Sequence, residues 1–454
     1  MEQMTVRDIV KATGGRLLCG EEALPLRRIS IDSKDIEGGE LFVPLVGERV
    51  DAHRFIRQAL KAGGAAVLTS EHDEMTDDHP WIRVEDTRKA LQEIGSYYRD
   101  RLTLPLVGIT GSVGKTTTRE MVAAALSAGF RVYKTPGNKN SQVGVPITLS
   151  EITPKDEIGV LELGMSMPGE LTVIARIARV DMALITNVGV AHIEQLGSQE
   201  NIYQEKLTIQ DGLKDGGILL LNGDDPMLKN TRARAGCSTV YYGTGENCAY
   251  RAEDICLEEG CPVFTAVCRD KRIPVRLKVL GRHNINNAMA ALAVADLYGV
   301  VLAEAAKKLE EYQGFQGRQQ IFVQNGVTII DDTYNASPVS MVAALEVLES
   351  MKCAGKKVAV LADMKELGQS AKKFHQEIGE WLEQHPVDVV FTLGELAEVI
   401  EGGALCLHFG GADLDGLFEK LTEILLPGDC VLLKGSNSMK LGKVAKRLTG
   451  EGEA

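Results

Sequence analysis

The 454 residues exceed what one hydrophobic core can serve, so two or three domains are expected. A hydrophobic share of 44% with 25% charged residues is that of an ordinary globular enzyme, and the net charge of -13 argues against nucleic acid or an anionic membrane as the main partner. The start, Met1 to Val10, carries charges throughout, and no stretch reaches the roughly eighteen apolar residues of a membrane span, so a cytoplasmic protein is expected. Among the nine cysteines there is no C-x-x-C pair. Cys248, Cys256, Cys261 and Cys268 cluster irregularly without a neighbouring histidine, which reads as reduced thiols rather than zinc.

Residues 1–101 read as a first α/β unit. Leu41 to Gly47 is strand-like, Phe55 to Ala62 is a helix stopped by Gly63-Gly64, and Asp86 to Arg99 is a helix leading onward. Residues 102–315 form a second unit. There Ile158 to Leu163, Met182 to Asn187 and Ile218 to Asn222 are strands, and Gly169 to Arg179 and Glu200 to Leu213 are helices. That alternation predicts a mostly parallel sheet with covering helices. Thr239 to Val279 breaks into short β-like pieces, expected as a side sheet. Residues 316–454 form a third unit with strands at Val327 to Ile330, Val358 to Leu361, Val387 to Thr392, Leu405 to His408 and Cys430 to Leu433. Helical patterns between them, such as Val339 to Leu348 and Lys372 to Leu382, predict a second open, Rossmann-like α/β sheet.

The stretch Thr110-Gly111-Ser112-Val113-Gly114-Lys115-Thr116-Thr117-Thr118 carries the strongest functional signal. It follows the apolar run Leu104 to Ile109 and precedes a helix that stops by Gly129. Strand, glycine loop and helix in that order gather backbone N–H groups and a positive helix end into an anion site. Lys115 is placed to neutralise the β- and γ-phosphates of a nucleotide, and the Thr116 hydroxyl to reach Mg²⁺. A Walker A loop would need glycine where the chain has Ile109, which argues against a generic GTPase or kinase.

Three further positions reach the same edge of the second unit. Glu162 ends an apolar strand, His192 follows the next one, and Lys206 lies on the helix after it. Taken singly, each has a plain explanation: a solvated or capping carboxylate, an exposed loop histidine, a solvent-facing lysine. Glu162 and His192 gain weight from sharing an edge with a phosphate loop.

The short T-G-x-x-G-K-T-T loop resembles that of the Mur ligase family and the related folylpolyglutamate and cyanophycin synthetases, and the likeness covers essentially the whole chain. Asp32-Ser33-Lys34 and the run Gly47 to His53, which includes Asp51, resemble its UDP-sugar-binding motifs, with Lys34 and Ala52 where the family usually has arginine and glycine. Pro136 to Pro146, with Asn138 and Asn140, and Leu163 to Glu170 are similar to its substrate loops. His283-Asn284-Ile285-Asn286-Asn287 resembles the motif whose asparagines meet ATP, although Asn284 could instead cap a helix. Gly317-Arg318 resembles a motif bringing a cation to the phosphates, and Asp331 to Pro338 one whose Asp332 takes the ribose while Tyr334 and Asn335 line the base. Leu361 to Gly368 with His375, and Leu433 to Ser436, also fit, but Asn437 stands where arginine is common.

The resemblance implies an N-terminal UDP-substrate domain, a central ATPase sheet and a C-terminal Rossmann-like domain. It implies an ADP-forming ligase that joins D-alanyl-D-alanine to UDP-N-acetylmuramoyl-tripeptide through an acyl phosphate. ATP would be held by Ile109, Thr110, Gly111, Ser112, Val113, Gly114, Lys115, Thr116 and Thr117, together with His283, Asn284, Asn287, Arg318, Asp332, Tyr334 and Asn335. Two Mg²⁺ ions are implied, with Thr116, Glu162, His192 and a carbamylated Lys206 as metal ligands; Lys115, Lys206, His192 and Arg318 are the implied catalytic residues. Ser33, Asp51, His53, Asn138 and Asn140 would contact substrate, and a monomer is expected. Two rivals stay open: a sibling or folylpolyglutamate-type ligase adding a single amino acid, and a non-catalytic nucleotide-binding protein on the same scaffold.

Overall fold

The computed structural model describes residues 1–402, 405–411 and 413–450. The expected end of the third unit, at residue 454, lies outside them. Three principal sheets follow one another along the chain. The first has five strands in the order Arg16–Cys19, Trp81–Arg83, Ala66–Thr69, Leu41–Phe42, Ile29–Ser30, parallel except for the first pair. The strand read at Leu41 to Gly47 is thus only its first two residues.

The helix Thr87–Arg101 leads to the second sheet, capped by Asp86, whose carboxylate accepts from the Arg88 and Lys89 N–H groups. It packs tightly on Gly144–Glu151, because a Cβ at Gly95 would meet Pro146 Cα at 2.7 Å. Arg99, buried at its end, donates to the carbonyls of Ala178 (2.8 Å), Arg179 (3.0 Å) and Leu102 (2.9 Å).

The central sheet has nine strands, with Leu106–Thr110 between Ile158–Glu162 and Met182–Ile185. All three are parallel and wholly buried, which explains their unbroken apolar sequences. Glu162 pairs with Ile109, and Ile185 with Thr110, so three strands end side by side. The expected side sheet does not form. Ser238–Gly243, Tyr250–Glu258, Cys261–Cys268 and Lys271–Arg276 instead extend the central sheet, the last two antiparallel. The physical reason is the helix Asn284–Leu297: its Ala288 to Ala295 run packs in one core with Tyr242, Tyr250, Phe264 and Val275 from that extension.

The third sheet has six strands in the order Gln320–Gln324, Val327–Asp332, Cys430–Lys434, Lys357–Ala362, Val389–Leu393, Leu405–Phe409, parallel but for the first. Register sets Asp332 beside Lys434 at the carboxyl edge.

Arg99 ties the first unit to the second through the backbone carbonyls of Ala178 and Arg179. Arg99→Met should therefore leave buried acceptors without donors, at about 1–3 kcal/mol each. The expected outcome is a clearly lower urea midpoint with an unchanged slope.

Candidate active site

The phosphate loop is fixed by the segment after the neighbouring strand. Ser112 N–H donates to Asn187 O at 3.1 Å, Val113 N–H to Asn187 Oδ1 at 2.9 Å, and Gly189 N–H to Ser112 Oγ at 2.9 Å. Thr186 Oγ1 and Asn187 Nδ2 donate to Val113 O. So close is this approach that a Cβ at Gly111, φ +151°, would lie 1.8 Å from Thr186 Oγ1. Lys115 opens the helix Lys115–Leu126, and its ammonium donates back to Gly111 O at 2.7 Å. Burial pulls its pKa down, opposed by Glu162 and reinforced by Arg318.

Glu162 is 3% exposed, and each of its carboxylate oxygens has a partner. Its Oε2 lies 3.1 Å from Arg119 Nη1, and its Oε1 accepts from Asn140 Nδ2 at 2.8 Å. Arg119, also buried, pairs with Glu120 on its other side at 2.7 Å. Lys206 is not a solvent-facing lysine: only 1% exposed, its pKa falls well below the ordinary 10.5 through burial and the nearby Lys115 charge, Glu205 opposing. His192 Nδ1 lies 2.6 Å from Glu366 Oε2, off the direction of a straight hydrogen bond. The imidazole in turn holds the Glu366 carboxyl below its usual range, against partial burial.

Two cavities meet at the loop. The larger, about 540 Å³, is lined by Lys115, Thr116, Asn140, Glu162, His192, Glu366 and Ser436 to Ser438 among others. The smaller is lined by Thr117, Asn187, Asn222, His283, Asn284, Asn286, Asn287, Asp332 and Lys434, with Tyr242, Val279, Tyr312, Val339 and Ala343 as apolar walls. Val113, Gly114 and Arg318 border both. Thr118 Oγ1 donates to Asn287 Oδ1 (3.0 Å), Asn287 Nδ2 to Asn284 Oδ1 (2.8 Å), and Asn284 Nδ2 to Leu280 O (2.7 Å), so the asparagine motif is braced to the phosphate-loop helix. Asn284 is the first residue of its helix, and its side chain does not cap it.

Asn286 Oδ1, Tyr312 Oη, Arg318 Nε and Gln319 Oε1 are buried polar atoms without partners, and all four belong to residues around the smaller cavity. Buried polar atoms are normally satisfied, so their concentration here marks a site for a polar ligand. Sequence patterns missed Tyr312 and Gln319, which belong to no recognisable motif, and gave Lys434 no role. Lys434 Nζ donates to Asp332 Oδ2 at 2.6 Å, both buried.

Other placements differ from expectation. Tyr334 and Asn335 line the larger cavity, not the smaller, because the chain leaving Asp332 crosses over Arg318, whose guanidinium lies 4.0 Å from the Tyr334 ring centre. Asn138 is exposed on its turn and borders neither cavity. His53 is buried, with Nδ1 at 2.7 Å from Asp51 Oδ1 and Nε2 accepting from Ser70 N–H at 3.1 Å, so both ring nitrogens fasten the chain rather than face a substrate. Ser33 is buried in the same unit and lines neither cavity. His375 is likewise internal, taking Met364 N–H at 2.9 Å.

Among known proteins, three family models match: "Mur ligase family, catalytic domain" at residues 25–99, "Mur ligase middle domain" at 109–295, and "Mur ligase, glutamate ligase domain" at 317–437. UDP-N-acetylmuramoyl-tripeptide–D-alanyl-D-alanine ligase of Bacillus subtilis strain 168 is 38% identical over 99% of each chain, and that of Escherichia coli K12 is 32% identical over 100% of each. MurF from Acinetobacter baumannii superposes with a TM-score of 0.90 at 31% identity over 98% of each chain. MurF ligase from Thermotoga maritima, in complex with ADP, gives 0.84 at 31% identity over 95% of this chain and 99% of that one. With likeness at this level from end to end, the chain belongs to the Mur ligase family.

Proposed function

We propose that the protein is an ADP-forming ligase that uses ATP to join D-alanyl-D-alanine to UDP-N-acetylmuramoyl-tripeptide, in the cytoplasm. One observation carries the reading: the phosphate loop stands in the wall between two cavities, with Arg318 bordering both. The smaller offers apolar walls and unpartnered polar atoms to a nucleoside; the larger has room for a peptide end. The relatives' names supply the substrates.

A carboxylate is a poor electrophile. Transfer of the γ-phosphoryl group to it gives an acyl phosphate; the dipeptide amine then attacks the carbonyl, losing a proton as phosphate leaves. Two anions must meet first, so cations have to gather. Lys115 exchanges its loop carbonyl for phosphate oxygens, and Arg318 reaches from the third domain. Thr116, Glu162 and His192 border the same cavity and suit a divalent cation: a carboxylate has about four acceptor sites, and Arg119 and Asn140 use two of those on Glu162. Bound Mg²⁺ would screen the phosphates during transfer. Burial favours the neutral amine of Lys206, the form that adds CO₂ to give a carbamate and a proton; the carbamate would be the further ligand.

Phosphate release should require UDP-tripeptide, ATP and D-alanyl-D-alanine together, and single amino acids should not substitute. Lys115→Ala should lower turnover by roughly 10²–10³, the usual loss for one transition-state cation or donor. If a single amino acid serves as well as the dipeptide, the sibling-ligase reading replaces this one.

Asp332→Ala should weaken ADP binding by calorimetry and spare UDP-tripeptide affinity, since Asp332 borders the smaller cavity alone. The reverse pattern would move the nucleotide out of that cavity.

For Lys206 the sign follows from its depressed pKa. Between the folded value and the unfolded 10.5, the unfolded chain binds a proton that the folded chain does not, so stability falls as pH drops through that interval. In metal-free, CO₂-free buffer Lys206→Met should therefore melt higher than wild type, the gap widening as pH falls from 10.5 until the lowered folded-state value is reached. Lys206→Ala should lose activity severely and regain part of it with short-chain carboxylic acids. A solvent-facing lysine would show neither effect.

A further inference from the structure

His192 and Glu366 come from different sheets. His192 follows the central strand Met182–Ile185, and Glu366 follows Lys357–Ala362 of the third sheet. Their side chains meet at 2.6 Å, Nδ1 to Oε2, and both border the larger cavity. A second link lies beside the first, where Glu194 N–H donates to Glu366 O at 3.2 Å. Both residues also hold left-handed backbone, φ 63° at His192 and φ 64° at Glu366, a conformation that side chains other than glycine adopt at a cost. Two such residues facing each other across a domain seam indicate that the surrounding packing fixes this contact against local preference.

A carboxylate at one imidazole nitrogen fixes the tautomer and aims the other lone pair outward. Among the described residues no protein hydrogen bond reaches His192 Nε2, the nitrogen left over from the Nδ1 contact with Glu366. The Oε2 contact is bent away from the N–H direction.

We propose that Glu366 is a positioning residue: it orients His192 toward a divalent cation, so that the metal site of the central domain is completed only when the third domain is seated. The inference rests on the metal role given to His192 above. Its consequence is that cation affinity and domain seating are one equilibrium, and Glu366 couples them without touching the cation.

The test is Mn²⁺ binding, followed by the loss of the free-ion electron paramagnetic resonance signal, with ADP and bicarbonate present. Wild type, Glu366→Ala, Glu366→Gln, His192→Ala and the His192→Ala/Glu366→Ala double variant are compared. Glu366→Ala should weaken the site by about 10- to 100-fold, the usual loss for an orienting partner of a ligand histidine. Glu366→Gln, which keeps an acceptor oxygen, should recover part of it. In the His192→Ala background, removing Glu366 should cost nothing further. Melting temperatures taken alongside should move little, which a purely structural bridge would not predict. Wild-type Mn²⁺ affinity in Glu366→Ala, with the site lost in His192→Ala, overturns the proposal and leaves the metal role intact. An undiminished Glu366 effect in the double variant also overturns it. Unchanged affinity in His192→Ala removes the metal role itself, and the inference with it.

Discussion

The site is organised by the need to hold cations in a dry cleft before any phosphate arrives. Lys115 meets this locally by turning its ammonium onto Gly111 O, a contact easily given up to a stronger acceptor. The loop must therefore keep its shape whether or not the lysine is bound to it. That rigidity comes from Thr186, Asn187 and Gly189, which take up its N–H, carbonyl and hydroxyl groups. The price is Gly111, the one residue type that fits against Thr186 at so short a distance.

Two other buried bases meet the same constraint in opposite ways. A guanidinium cannot shed its proton in a protein, so Arg119 is enclosed by the carboxylates of Glu120 and Glu162 and the carbonyl of Gly137. An unpaired buried charge would cost several kcal/mol. Lys206 has no carboxylate bonded to it among the described residues, and it sits near Lys115; burial then favours the neutral amine. Position in the chain did not distinguish these fates, since both are basic residues on helices beside the sheet edge. The difference lies in which acids the fold brings to each.

This explains what could be read before the structure was known. The loop from Thr110 to Thr118 was legible because its chemistry is local: strand, turn and helix are contiguous, and position alone points the N–H groups at one spot. Glu162 and His192 were legible by the same strand-end logic. Their partners Arg119 and Glu366 were not, because each contact joins distant stretches of chain, in the second case from different sheets. The cavity that Tyr334 and Asn335 border was not legible for a related reason, as a motif does not reveal which side of Arg318 its chain will cross. The Thr239 to Val279 segment was separated from the central sheet because its short strands carry no sign of the alanine-rich helix that covers them. His53 shows the limit of motif reading from the other side: its ring is consumed by Asp51 and Ser70.

The strand ends also show what each sheet brings to the shared cavities. Parallel strands finish together at one edge, and each sheet places its polar residues there: Glu162 and the phosphate loop on one, Asp332 and Lys434 on the other. Arg318 precedes the first strand of the third sheet and borders both cavities. Lys115 from one unit and Arg318 from the other thus both border the larger cavity. In the proposed reaction an acyl phosphate formed there would be shielded from water only while both units are present. Chemistry and domain contact are thus tied through the same few side chains.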